Sequence, residues 1–340
     1  MGDAAGIGPE LILKAFSMDG LYKICRPIII GSLAVMAYYS RLLGVCIPFH
    51  CIGEVSQAEY QTGILDLIDL GFVDVAKLKL GIVAPEPGKA AVLYTIEAGK
   101  LAMDGIIDAI VSAPLNKESM RAAGYEYEGQ TQILGELTGA KKYGMILLLG
   151  NMRVMMLTTH TALRKACDAV TKENILVMIK LAHETLQGFG FSKPRIAVAA
   201  LNPHAGDGGL FGFEEIEASL PAIRMAAAEG IDVAGPFPAD TIFLKAKEGL
   251  YDLVLAMYHD QANMAAKLLG FGEVVTVLAG LPIVRTSVGH GTAFDIAGKG
   301  VADEGNFIEA IKAATAIVNI KTARISNLGG QTFNVDRGEQ

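Results

Sequence analysis

Three of the six histidines in this chain close apolar runs. His160 ends VMMLTTH, His204 follows RIAVAALNPH and His259 ends YDLVLAMYH, so each imidazole is delivered just past the carboxyl end of a strand, where open α/β sheets place their sites. Each alone reads as a hydrogen-bonded histidine at a strand end. Together, with Asp207 and Asp260 nearby, three neutral imidazoles from separate strands form a ligand set for a divalent cation that leaves room for substrate and water. Such a cation acts as a Lewis acid. Lys267 and Arg285 are cations able to clamp an anionic substrate. Asn116 and Lys117, in IVSAPLNKESM, open a helix after an apolar strand, as a cap or at a ligand edge. His50, in IPFHCI, and His183, in KLAHETL, lack this context and read as structural.

Glycine supplies a second theme, with 39 glycines against 12 prolines. Backbone amides of 206–212, ahead of a helix beginning near Phe213, would cradle a phosphate or carboxylate, or simply make a turn. The spacing is not GxGxxG, so the standard dinucleotide fingerprint is absent. The run SVGHGTAFDIAGKGVADEG at 287–305 combines five glycines with His290, Asp295 and Lys299, a composition suited to an adenosine and a diphosphate.

The elements that position these groups alternate. Apolar runs at 26–31, 106–112, 145–149, 153–158, 195–201, 252–257 and 274–278 predict strands, and 9–18, 32–43, 89–103, 130–138, 171–188, 214–229 and 305–320 predict helices, the pattern of an α/β chain with a mostly parallel sheet. A length of 340 residues at about 150 per domain allows two domains, or one with a strong second lobe. VAPEPGK at 83–89 reads as an irregular crossover. A strand should precede the glycine turn GDAAGIGPE, so either the amino terminus lies upstream of Met1 or this lobe lacks an edge strand. A 51% apolar and 19% charged composition excludes disorder, and a net charge of -7 with no block of like charge excludes a nucleic-acid-binding face. No signal peptide or membrane span is read, which predicts a soluble cytoplasmic protein. Cys25, Cys46, Cys51 and Cys167 lack CxxC spacing and read as buried thiols, with a Cys46 and Cys51 metal or redox pair as the alternative.

Taken together, these runs resemble one family, the 4-hydroxythreonine-4-phosphate dehydrogenases of vitamin B6 biosynthesis and their metal-dependent paralogues. The resemblance is chain-wide, through GDAAGIGPE at 2–10, SAPLNKE at 112–118, LTTHTALRKACDAVT at 157–171, LNPHAGDGGLFGFEE at 201–215, GPFPADTIF at 235–243, AMYHDQ at 256–261 and GLPIVRTSVGHGTAFDIAGKG at 280–300. It implies a two-lobed α/β fold like that of isocitrate and isopropylmalate dehydrogenases, with the active site in the interlobe cleft. Residues 1–120 plus 285–340 would form a cofactor-binding lobe, and 121–284 a metal-binding and dimerisation lobe. It further implies that His160, His204 and His259 hold zinc, or alternatively magnesium, manganese or cobalt, shared between the chains of a homodimer. NAD or NADP would oxidise a secondary alcohol, and the resulting β-keto acid would lose carbon dioxide.

HGTAFDIAGKG is also similar to the adenosine-binding loop of isopropylmalate and isocitrate dehydrogenases. This assigns His290, Gly291, Thr292 and Asp295 to the cofactor, and the lack of a basic cluster there leans towards NAD. Asp240 and Asp260 are assigned to orienting the substrate or accepting its proton, with Asp240 preferred over Lys267 as base.

Two stretches depart from the family. GQTQ stands where the family has GHTE, so Gln130 replaces a histidine and Gln132 a glutamate while Thr131 is kept, and Thr276 replaces a substrate-contacting asparagine. Metal, cofactor and anion positions match, and substrate positions partly differ. The expected substrate is a small anionic 3-hydroxy acid, with 4-phosphooxy-threonine leading and 4-phospho-threonate or a cis-dihydrodiol carboxylate as alternatives. An acyl or phosphoryl transferase, or a non-catalytic binding protein on the same scaffold, are the readings from other classes.

Overall fold

The computed structural model describes residues 1–18, 20–270 and 272–329, so the last eleven positions of the expected first lobe, 330–340, lie outside the described residues. In chain order the elements are α1 (Gly8–Phe16), β1 (Ile29–Gly31), α2 (Leu33–Leu43), β2 (Phe49–Ile52), β3 (Leu65–Asp69), α3 (Pro85–Met103), β4 (Ala109–Ser112), α4 (Lys117–Ala122) and α5 (Gln130–Thr138). They continue as β5 (Gly144–Leu149), β6 (Met152–Met156), α6 (Leu163–Asp168), α7 (Lys172–Gly188), β7 (Ile196–Ala199), α8 (Leu220–Ala228), β8 (Val233–Phe237), α9 (Ala239–Lys247), β9 (Leu253–Ala256), α10 (His259–Gly270), β10 (Val275–Ala279), β11 (Val284–Val288) and α11 (Gly305–Gly329).

Local chemistry sets the boundaries. Asn116 caps α4 by accepting from Ser119 N at 2.8 Å, Thr171 caps α7 by accepting from Asn174 N at 3.2 Å, and left-handed Gly44 ends α2. The stretch at 83–89 corrects the expectation of an irregular crossover. Pro85 and Pro87 occupy the first turn of α3, where a missing N–H costs nothing, so the helix starts four residues before the expected 89.

The strands make two sheets, β1-β3-β2 and β4-β11-β10-β5-β6-β9-β7-β8. The small sheet is parallel, as are the β4–β11 pair and the β6-β9-β7-β8 block. The two parallel groups of the large sheet are joined through antiparallel pairings of β11 with β10, β10 with β5 and β5 with β6. The fold is thus α/β with a mostly parallel sheet, although the strands expected at 145–149 and 274–278 supply the antiparallel centre. The small sheet was under-read: β2 and β3 escaped the search because FHCI and LDLID are short and interrupted by polar residues.

One face of the large sheet buries Ile146, Met155, Val275 and Val277 under α7, α8 and α11. The opposite face is covered in two separate places. Leu147, Val154 and Val254 lie under α9 and α10, while Ile110 and Leu278 lie under α3 and α5. Between those covers runs a cleft. A further core gathers Leu11, Tyr39, Leu67 and Phe307 around the small sheet.

The cysteines correct the reading of buried thiols. Cys46 and Cys51 are exposed and Cys25 and Cys167 half-buried, all four free, because Cys51 lies on the outer strand β2 and Cys46 in the turn after α2. Among the described residues no helix is long and apolar enough to cross a membrane.

The α3–α4 contact, which sets the end of β4 at the cleft, depends on Gly88. A Cβ there would lie 2.2 Å from the Ser119 carbonyl and 2.6 Å from Met120 N, both backbone. Gly88→Ala is expected to destabilise the protein by about 2–3 kcal/mol, against a gain of roughly 0.5–1 kcal/mol from helix propensity alone, as read from urea unfolding.

Candidate active site

The cleft follows from strand alternation. Val154, Leu147, Thr276, Ser287 and Ser112 stand in register across β6, β5, β10, β11 and β4, and Arg285 shares their face two residues before Ser287. The row is apolar under α9 and α10 and becomes polar in the gap between the two helical covers. The cavity there measures about 540 Å³.

Arg285 is its central charge. The guanidinium is 4% exposed, donates from Nε to Ser112 Oγ at 3.1 Å and from a terminal nitrogen to Gln130 Oε1 at 2.7 Å, and desolvation pushes it down to about 10. Among the described residues no carboxylate pairs with it. Gln130, at the start of α5, is buried and turns its amide nitrogen towards Ala113 O at 3.3 Å. The amide is therefore locked between a backbone acceptor and the cation. Thr276 Oγ1 donates to Ser287 O at 3.2 Å. Thr131, Lys117 and Lys267 also line the cavity.

His160 and His259 meet on its opposite wall, with ring centroids 5.7 Å apart. They follow β6 and β9, which are adjacent and parallel. His259 Nδ1 lies 2.8 Å from Asp260 Oδ1, an arrangement that fixes the tautomer and turns Nε2 outward. Burial, then the charges of Lys117 and His259, lowers the pKa of His160 and favours its neutral form. This pair fits two positions in the shell of a divalent cation.

The third histidine stands apart. His204 leaves the end of β7, the next strand over, but does not line the cavity, and its ring lies 6.4 Å from that of Phe211. Among the described residues no three histidine, cysteine or carboxylate groups converge to hold a metal. The physical reason is the turn itself. His204, Ala205, Gly206, Asp207 and Gly208 are all left-handed, with φ of 52°, 57°, 79°, 43° and 68°. Three non-glycine residues in that region store strain. The turn is pinned by Glu215, 2% exposed, whose carboxylate accepts from Leu201 N at 2.8 Å, Asn202 N at 2.9 Å and Asn202 Nδ2 at 2.9 Å. Glu214 accepts from the same Asn202 amide at 2.6 Å. The glycine cradle is thus built around the protein's own carboxylates, which opposes an added anion.

Asp240 shares the fate of His204. It opens α9 after β8, is exposed and lies outside the cavity, with α9 packed against the 203–209 turn. Asp260 is 71% exposed and reaches the site only through His259. Of the three groups assigned to catalysis, Lys267 alone lines the cleft.

The loop after β11 closes the other end. Gly289 N donates to Asn306 Oδ1 at 2.8 Å, and Asn306 Nδ2 to Val274 O at 2.8 Å, anchoring the loop to α11 and β10. His290 and Gly291 line the cavity mouth and are exposed. His290 Nδ1 donates to Gly291 O at 2.9 Å, leaving Nε2 as an acceptor. Thr292 is buried behind them, its carbonyl accepting from Ile7 N at 3.0 Å, and Asp295 is exposed beyond. Open backbone beside an exposed imidazole fits part of a dinucleotide, with Thr292 serving the loop's own fold.

Sequence reasoning passed over Ser112, Ser287 and Asn263, and left Lys117 undecided between cap and ligand. The signal for Ser287 was present in VRTSV, where two polar groups spaced two apart share a strand face. Ser112 and Asn263 gave none, because their importance arises from register and from the α10 contact.

Comparison with known proteins bears on this geometry. Residues 23–314 match the family described as pyridoxal phosphate biosynthetic protein PdxA. D-threonate 4-phosphate dehydrogenase of Cupriavidus necator is 44% identical over 313 residues, covering 92% of this chain and 94% of that protein. The crystal structure of 4-hydroxythreonine-4-phosphate dehydrogenase from Klebsiella pneumoniae superposes with a TM-score of 0.86 at 39% identity, covering 94% of this chain and 98% of the other. A terephthalate 1,2-cis-dihydrodiol dehydrogenase from Burkholderia xenovorans gives a TM-score of 0.62 at 28% identity, covering 93% of this chain and 96% of that one. The cleft, its buried arginine and its paired imidazoles are thus those of a chain that belongs to the PdxA family.

Proposed function

We propose that this chain is a divalent-metal-dependent and NAD-dependent dehydrogenase of a phosphorylated 3-hydroxy acid, with D-threonate 4-phosphate as substrate. The observation that carries this reading is Arg285, a buried guanidinium without a carboxylate partner among the described residues, facing a cavity shared with two imidazoles and an open glycine loop. A buried charge left unpaired is costly, and an anionic substrate removes that cost. The 44% identical relative named for D-threonate 4-phosphate supports this substrate over 4-phosphooxy-threonine.

In this reading Arg285 and Lys117 hold the anionic groups, and Thr276 and Ser287 orient the carbon chain between the histidine wall and the His290 loop. The residues 1–120 and 285–340 serve the cofactor, and 121–284 the metal. His160 and His259 of one chain, with His204 of a second copy, hold the cation, which when bound supplies a Lewis acid for the alcohol oxygen. Lys267, lining the cleft, is a further cation for the substrate, Asp240 of the second copy, on the helix packed against its His204 turn, is the base for the hydroxyl proton, and the nicotinamide, held at the His290 loop, would supply the hydride acceptor. The product is a β-keto acid, and breaking its bond to the carboxylate releases carbon dioxide. The exposed apolar residues Leu210, Phe213, Met264 and Leu268 flank the edge where the histidines emerge, and an apolar surface there supports a homodimer.

Mixing subunits tests the shared site. His204→Ala and His259→Ala should each abolish NAD reduction and bound metal, whereas a refolded mixture should regain about a quarter of wild-type activity, since half the dimers carry one intact site. No recovery on mixing would show that the ligands belong to one chain.

Arg285→Met should lower kcat/KM for the phosphorylated acid by at least about a hundredfold while the protein stays folded, because it removes a buried charge together with its anion contact. A change under about threefold in steady-state kinetics would remove Arg285 from substrate binding. Gln130→His should raise kcat/KM for 4-phosphooxy-threonine relative to D-threonate 4-phosphate by about tenfold, and an unchanged ratio would count against Gln130 in specificity.

A further inference from the structure

α10 presents a regular row of polar groups to the cleft. His259, Asn263 and Lys267 are four residues apart and all line the same cavity, so they form one stripe of the helix at intervals of about 6 Å along its axis. The other faces serve packing and surface. Ala262 and Ala266 are buried against the sheet, and Met264 and Leu268 are exposed. Gln261 is spent on backbone, its Oε1 accepting from Met257 N at 2.9 Å and its Nε2 donating to Ala200 O at 2.9 Å. Within the stripe, His259 and Lys267 already have roles and Asn263 has none.

The Asn263 side chain is oriented by its neighbours. Its Nδ2 donates to His259 O at 3.0 Å and lies 3.7 Å from Met156 Sδ on β6. A backbone carbonyl can only accept, so the nitrogen end of the amide is fixed against helix and sheet and Oδ1 is the end left for the cavity. Such an oxygen is a good acceptor in a cleft rich in donors. Arg285, Lys117 and Lys267 offer N–H groups only, while the amide oxygens of Gln130 and Gln132 are committed to Arg285 and to Glu128 N.

The substrate class proposed above sorts onto this row. Its carboxylate and phosphate are acceptors and match the cations, and the alcohol on C3 goes to the divalent cation at His160 and His259. The hydroxyl on C2, the carbon beside the one oxidised, is then a donor in need of an acceptor, one helical turn from His259. We propose that Asn263 Oδ1 accepts the hydrogen bond of the polar group on C2, and so selects β-hydroxy acids that carry a donor there. The assignment rests on the substrate class under Proposed function. A substrate bare at C2 leaves this half-buried oxygen without a partner, which costs affinity.

The test pairs the side chain with the substrate atom. Asn263→Leu, close in volume, is measured on D-threonate 4-phosphate and on 3-hydroxybutanoate 4-phosphate, which lacks only the C2 hydroxyl, both as kcat/KM and as Kd from calorimetry without NAD. The wild-type protein should favour the threonate by at least about tenfold and the variant by less than about twofold. Equal losses on both compounds, the mark of a residue that merely supports α10, would overturn the proposal. Asn263→Asp covers the case in which leucine impairs folding. A negative charge at that place should raise the preference for 4-phosphooxy-threonine, whose C2 bears an ammonium, over D-threonate 4-phosphate by at least about tenfold, and an unchanged ratio would likewise remove Asn263 from the C2 subsite. Wild-type turnover of 4-phosphooxy-threonine and not of D-threonate 4-phosphate would end the substrate reading alone, and the same comparison against the butanoate, bare at C2 for both compounds, then decides the role of Asn263.

Discussion

The arrangement of the cleft turns on a single uncompensated charge. Arg285 sits in a strand, 4% exposed, held by a serine hydroxyl and a glutamine carbonyl oxygen and, among the described residues, by no carboxylate. Those neutral partners satisfy hydrogen bonds but leave the charge itself, which water would otherwise solvate. The neighbouring polar groups follow from that need. Ser112 and Gln130 fix the guanidinium plane, and Ala113 O in turn fixes the Gln130 amide so that its oxygen faces the cation.

Around that charge the sheet acts as a ruler. Adjacent parallel strands end at one edge, so β6, β9, β7 and β8 deliver His160, His259, His204 and Asp240 in a row rather than at a point. Neighbouring strands are about 4.8 Å apart, which lets the first two imidazoles meet, while the third begins one strand further on. The left-handed turn at 204–208, clamped by Glu215, holds His204 away from the cleft. The same edge carries the exposed apolar side chains Leu210, Phe213, Met264 and Leu268.

Much of this was legible in the residues. Apolar runs capped by histidine placed His160, His204 and His259 at strand ends, and Gln130, Thr276 and Arg285, each singled out in the sequence, line one cavity. Asp240, chosen for its motif, follows the strand at the far end of the β6-β9-β7-β8 block and stands with His204 outside the cleft of its own chain. Another reading failed for a physical reason. Cysteines among apolar neighbours were read as buried, yet an outer strand and a turn expose two of them. Ser112 and Asn263 carry no periodic signal that separates them from ordinary surface polar residues.

Composition, alternation and the histidines closing apolar runs by themselves determined an α/β chain with histidines at strand ends. Those features are local, since a period of two, a proline in a first turn or a histidine closing an apolar run is written within a few residues. Strand order, the antiparallel centre of the large sheet and the separation of His204 from its companions were decided only by the tertiary structure. Each depends on which edges come to lie side by side, and that is settled by burial summed over segments far apart in the chain.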